Sequence, residues 1–218
     1  RRRIRNRMAK LREQIRRMEP ARQAQRANRS RSTIPSVAIA GYTNAGKSTL
    51  LNALTGADVL VEDALFATLD PTVRRTQTED GRAYTLSDTV GFVSRLPTQL
   101  VEAFRSTLEE VGEADVILHV VDAAHPDPIG QIQAVHSVLD TIEGARDIPE
   151  LIVFNKADLA SDEQRAFVRS LSERAVLVSA VTGEGISELQ TVIASMLPRP
   201  REVIDCVVPY IYGALIHR

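Results

Sequence analysis

The chain contains no tryptophan, and aromatic residues make up only 4% of its 218 positions. That scarcity argues against an aromatic stacking platform for single-stranded nucleic acid. One cysteine, Cys206, excludes an internal disulfide and fits a reducing compartment, where it reads as a small buried hydrophobe. No apolar run approaches ~18 residues, so no transmembrane helix is expected. No signal peptide is visible, and an opening on Arg1 without a methionine reads as a fragment of a longer chain. The histidines, His119, His125, His136 and His217, show no metal-ligand spacing. His119 falls within an apolar strand pattern and reads as a packed or capping residue. Glu109, Glu110 and Glu113 read as a helix end and not as an acid/base pair.

Charge of one sign is also scarce where the other is abundant. Residues 1–31 hold thirteen Lys/Arg against Glu13 and Glu19, a net +11, which leaves −12 on the rest of a chain whose total is −1. Ile4, Met8, Leu11, Ile15 and Met18 recur at alternating spacings of four and three, a heptad seam on a helix that Pro20 interrupts. The remaining surface of this arm is nearly all arginine, so contact with a polyanion such as nucleic acid leads over a solvated coiled-coil face or an anionic membrane surface. The arm and its linker span 1–34.

From 35 to 198 the pattern alternates strand and helix. Apolar β-branched runs at 36–40, 116–122, 151–154 and 176–178 read as buried strands. Runs at 73–78 and 83–87 flank Glu79-Asp80-Gly81, a hairpin turn signal. Helical periodicity marks 49–54, 97–111, 128–142, 161–172 and 185–197, with Asp162 near the cap of the fourth. The class is α/β, a mainly parallel six-stranded sheet with helices on both faces. Residues 199–218 would open a small further element.

Gly41-Tyr42-Thr43-Asn44-Ala45-Gly46-Lys47-Ser48 matches the phosphate-binding pattern G-x-x-x-x-G-K-[ST] in full and sits between a strand and a helix. Gly41 and Gly46 let the backbone bring N–H groups onto phosphates, and the helix start through Thr49 adds favourable partial charge. Lys47 is expected to reach the β- and γ-phosphates and Ser48 to ligate Mg²⁺. Asn155-Lys156-Ala157-Asp158 follows a buried strand. An ionised Asp158 can accept from the N1–H and the 2-amino group of guanine, donors that adenine lacks. Asp88-Thr89-Val90-Gly91 ends another strand, with Asp88 toward Mg²⁺ through water and the Gly91 N–H toward the γ-phosphate. Phe66-Ala67-Thr68-Leu69-Asp70 supplies a switch threonine, Thr68, for the Mg²⁺ shell. Ser179-Ala180-Val181 offers backbone to the guanine O6. GTP and GDP with Mg²⁺ are therefore the expected ligands.

These motifs, with GYTNAGKSTLLNALTGADVLVEDALFATLDPT, DTVGF and RLPTQLVEAFRSTLEEV, resemble HflX, of the Obg–HflX branch of translation-factor-like GTPases. The resemblance covers nearly all of 35–197, and the basic arm resembles the helical end of the HflX N-terminal domain. It implies a Ras-like P-loop GTPase fold and a cytoplasmic, monomeric switch protein. Its partner would be the large ribosomal subunit, through rRNA and not DNA, with a role in splitting or rescuing ribosomes. By the same resemblance Phe66 to Asp70 and Asp88 to Gly91 are the two switches. The glycine-rich N-terminal domain of that family is missing from this chain.

The catalytic set would be Lys47, Thr68 and Gly91. Phe92 occupies the position where many GTPases carry a water-orienting glutamine, which implies slow intrinsic turnover completed by a partner. Asn44 is a candidate K⁺ ligand as well as a turn residue. Two other functions stay open: a GTPase acting on other RNA or ribosome-assembly intermediates, and a GTP sensor with negligible hydrolysis.

Overall fold

The computed structural model describes residues 34–56, 72–89, 91, 111–142, 144–171 and 175–199. The basic arm, the Phe66–Asp70 segment with Thr68, Val90, Phe92, all but the end of the helix expected at 97–111, and residues 200–218 lie outside that set.

Six strands form one sheet in the order β2-β3-β1-β4-β5-β6. They are β1 (Ser36–Gly41), β2 (Thr72–Gln77), β3 (Ala83–Asp88), β4 (Val116–Asp122), β5 (Glu150–Asn155) and β6 (Val176–Leu177). Every pairing is parallel except the β2–β3 hairpin. The helices are α1 (Lys47–Thr55), α2 (Pro128–Leu139), α3 (Asp162–Leu171) and α4 (Ile186–Met196). This is the expected α/β architecture.

The continuous apolar runs exist because the parallel strands are covered on both faces. Along β1, Val37 and Ile39 join Leu50, Leu51, Leu118, Leu189 and Ile193 in one core, beneath α1 and α4. The alternate residues Ala38 and Ala40 join Ile117, Val135 and Leu139 in a second, beneath α2. Further along the sheet, Val121, Phe154 and Val168 form a third under α3.

Local chemistry sets the element ends. Thr78 leaves β2 one residue earlier than the sequence suggests because it builds the turn. Its N–H donates to Arg82 O at 2.9 Å, its hydroxyl pairs with Asp80, and Gly81 takes φ +82°. Arg82 Nη2 then ties the hairpin to α4 through Ala194 O at 2.8 Å. Helix α2 starts on an Asp127 cap that accepts from Gly130 N at 2.8 Å, with Pro128 at its first position. It stops at Leu139 and not at 142, because Thr141 N and Ile142 N bond to the carbonyls of Val138 and Leu139 in tightened three-residue steps. Helix α3 is capped by Ser161 and not by Asp162. Gln164 N donates to Ser161 Oγ at 3.3 Å while Gln164 Oε1 accepts from Ser161 N at 2.9 Å, a reciprocal capping box.

Leu118 is fully buried in β4 within the first core. Leu118→Ala should therefore lower unfolding free energy by about 2–5 kcal/mol in urea denaturation, and a loss well under 1 kcal/mol would contradict the packing described.

Candidate functional site

The C-terminal ends of β1, β3, β4 and β5 carry the polar residues named above, at the edge where open α/β sheets bind ligands. The end of β1 lies so close to β4 that a side-chain Cβ at Gly41 would sit 2.3 Å from Val120 O. The loop after it turns through two left-handed residues, Asn44 at φ +61° and Gly46 at φ +89°. Gly46 is the cap residue of α1 and has no side chain to satisfy the helix start. In that arrangement an anion can take the cap's place.

Lys47 begins α1, is 7% exposed, and donates from Nζ to Tyr42 O at 3.1 Å, curling back over the loop. Gly91 packs on the same spot. A Cβ there would fall 2.8 Å from Thr43 Cγ2 and 3.0 Å from Lys47 Nζ. Burial pushes the Lys47 ammonium down to about 8, against the nearby Asp88 carboxylate, which pulls the other way. Ser48 Oγ donates to Asp88 Oδ2 at 2.5 Å, and Asp88 is 1% exposed at the end of β3. A hydroxyl and a carboxylate are hard oxygen donors, so the pair fits Mg²⁺. Thr89 is used differently: its buried hydroxyl donates to Ile39 O at 2.7 Å and clasps β3 to β1.

The second cluster is organised by Asn155, 2% exposed at the end of β5. Its Nδ2 donates to Ala45 O at 3.0 Å, and its Oδ1 accepts from Ala180 N at 3.1 Å. A Cβ on Gly46 would lie 2.3 Å from that Nδ2, so glycine is required for the approach. Lys156 is left-handed at φ +63°, and its Nζ pairs with Asp122 Oδ2 at 2.7 Å. Ala157 is fully buried, with its N–H on Val178 O at 3.0 Å. Asp158 is exposed, and its Oδ1 accepts from Ser179 Oγ at 2.6 Å. Ser179 Oγ in turn accepts from Thr182 N at 3.1 Å. Val181, at the end of this stretch, is 78% exposed.

The fold thus brings together Gly41 to Thr49, Asp88, Thr89, Gly91, Asn155 to Asp158 and Ser179 to Val181. Sequence reasoning missed three residues here. Asp122 is paired in register with Asn155 across β4 and β5, and a carboxylate ending a buried strand was the available signal. Arg165 on α3 bonds to Ala157 O at 2.7 Å and to both oxygens of Glu184. It thereby bridges the 155–158 and 179–184 loops. Nothing in the spacing of Arg165 and Glu184 announced that contact.

Fold and site together define a P-loop GTPase domain. A family model described as 50S ribosome-binding GTPase matches residues 36–156, and the chain belongs to that family. Within it the similarity is to proteins named GTPase HflX, as the motifs implied. The one from Caldanaerobacter subterraneus subsp. tengcongensis is 48% identical over 210 residues, 96% of this chain and 48% of the relative. The one from Alkalihalophilus pseudofirmus is 44% identical over 197 residues, 90% of this chain and 46% of the relative. The chain spans about half the length of these curated relatives. Among solved structures, the complex of SsGBP with GDP is 28% identical, with a TM-score of 0.61 over 80% of this chain and 55% of that one.

Two predictions follow from the geometry. Lys47 titrates at 10.5 when unfolded and near 8 when folded, so between those values the unfolded chain binds more protons and stability rises with pH. In nucleotide- and Mg²⁺-free chains, wild type should gain on the order of 3 kcal/mol relative to Lys47→Met from pH 8 to 10.5. Parallel pH profiles for the two chains would contradict a buried, strained ammonium. Arg165→Met should loosen the paired loops and raise the release rate of a bound guanine nucleotide about tenfold, while the global unfolding midpoint stays near that of wild type. An unchanged release rate in stopped flow would reduce Arg165 to a surface ion pair.

Proposed function

We propose that this chain is the GTP-binding and GTP-hydrolysing switch domain of a protein that acts on the large ribosomal subunit. The observation that carries the reading is that Asn155 links a complete phosphate loop to an exposed Asp158 held by Ser179. Phosphates would lie on the backbone of Gly41 to Thr49, with Lys47 released from Tyr42 O to meet the β- and γ-oxygens. Guanine would donate its N1–H and 2-amino group to Asp158, while the backbone of Ser179 to Val181 meets O6. Ser48 and Thr68 would hold Mg²⁺, with Asp88 behind them; the ion would supply charge neutralisation between the β- and γ-phosphates. The Gly91 N–H would face the γ-phosphate. Attack of water on that phosphate would be slow in isolation, because Phe92 offers no group to orient the water. A K⁺ ion beside the phosphates is a further element of the proposal, since Asn44 is exposed at the loop's turn.

The ribosomal partner is supported by the family's description and by the +11 charge of residues 1–31. We place the arm, 1–34, on rRNA, the G domain at 35–198 and the start of a small element at 199–218, in a cytoplasmic monomer. Splitting or rescue of ribosomes would be the work of the longer protein. Action on other RNA is the second reading, favoured by the same arm.

GTP turnover by this chain and by an upstream-extended form, with and without purified large subunits, tests the proposal. Slow basal turnover and strong stimulation of the extended form are expected. Rapid unaided turnover, or no stimulation of either form, would overturn the activated-switch reading. Asp158→Asn should lower guanine-nucleotide affinity by about 10–100-fold and favour xanthine nucleotides, whose C2 carbonyl accepts from the new amide. Unchanged base preference in competition binding would remove Asp158 from the base site.

A further inference from the structure

Away from the nucleotide edge, three side chains converge that the GTPase site does not use. Strand β4 sends Leu118 and Val120 into the core under α1 and α4. Ile117, His119 and Val121 alternate with them and belong to the other face. His119 is fully buried, with Nδ1 2.6 Å from Glu150 Oε1. Glu150 opens β5, and His136 reaches it from α2, with Nε2 3.0 Å from both carboxylate oxygens. The two imidazole rings meet edge-on at 5.4 Å between centroids. One atom from each residue, two nitrogens and an oxygen, lie within 4.8 Å of one another.

The spacing in sequence hid this cluster, because its members come from three elements at positions 119, 136 and 150. Its chemistry is that of a donor set. Burial pushes the His119 imidazole down, against the hydrogen bond and charge of Glu150. Burial alone would push the Glu150 carboxyl up, but hydrogen bonds and charge from His119 and His136 outweigh it and hold the group below its ordinary value.

We propose that His119, His136 and Glu150 form a site for one divalent metal ion of the zinc class, bound by two imidazoles and a carboxylate with a fourth position open to water. An ion about 2.0–2.2 Å from each ligand atom holds those atoms roughly 3.4 Å apart. The two contacts to Glu150, at 2.6 and 3.0 Å, need a small opening, and the whole set already lies within 4.8 Å. His119 is fixed, while His136 and Glu150 are 43% and 27% exposed, so these two can move and supply an entry path. Imidazole nitrogens favour zinc over Mg²⁺ or Ca²⁺, which separates this site from the hard-oxygen pair Ser48 and Asp88.

Loading has a signature. The ionised carboxylate can only accept, so His119 carries its proton on Nδ1 when no ion is bound. Ligation through Nδ1 moves that proton to Nε2, which is buried and has no partner among the described residues. That burden makes the site weaker than a preformed structural zinc centre.

The test uses the full chain, freed of metal by chelation and then saturated with GDP and Mg²⁺ so that the phosphate end is filled. Titration with Co²⁺ should give one equivalent with the intense visible band of a four- or five-coordinate ion, displaced by Zn²⁺. Nitrogen-15 shifts should show the His119 proton moving from Nδ1 to Nε2. Half-exposed His136→Ala, and separately Glu150→Gln, should each weaken binding at least about tenfold in chains that melt as cooperatively as wild type. Absence of saturable binding, or affinity unchanged in both variants, would overturn the proposal and leave the trio as a hydrogen-bonded network.

Discussion

The side chain of Asn155 donates to Ala45 O in the phosphate loop and accepts from Ala180 N in the loop after β6. It therefore fixes three segments that are far apart in sequence: 41–48, 155–158 and 179–183. Each is short, irregular backbone that could not keep its shape alone. Burial at 2% exposure removes water as a competing partner, so both bonds count more than they would at the surface. Gly46 is the necessary counterpart, because any side chain there would occupy the space of the Asn155 amide. The separation of the 41–48 loop from the 179–183 loop is thus set by one amide group.

Around that clasp the site holds charge under strain. Lys47 is buried, and among the described residues a carbonyl acceptor and the nearby Asp88 offset its desolvation. A phosphate would restore what burial removes from the Lys47 ammonium. The base end is built the other way. Lys156 pairs with Asp122, Arg165 with Glu184, and Asp158 with Ser179, so its charges are already positioned by neighbours. On the proposed reading, one end would gain stability on binding and the other would be preorganised to select.

Much of this was legible in the sequence because it is local. The phosphate loop, Asn155 to Asp158, and the strand runs are contiguous patterns whose physical demands can be read in order. The parallel sheet followed from the alternation of strand and helix along the chain, and the hairpin from Glu79-Asp80-Gly81. What escaped were contacts between elements. Arg165 and Glu184 look like two surface charges until α3 and the 179–184 loop are placed side by side. His119, His136 and Glu150 lack ligand spacing along the chain and acquire it only when β4, α2 and β5 stack. The sequence marks a cap region around Asp162, and only the reciprocal bond with Gln164 assigns the cap to Ser161.

Hydrogen exchange on Asn155→Ala, without nucleotide, is the most direct test of the central claim. Loss of the amide removes the hydrogen bond to Ala180 N and the support of Ala45 O together. The account expects amides of 42–46 and of 179–183 to lose protection in parallel, while those of the β1 and β4 interior keep theirs. Loss of protection in only one of the two loops, or in neither, would contradict a single residue holding the phosphate and base ends in register.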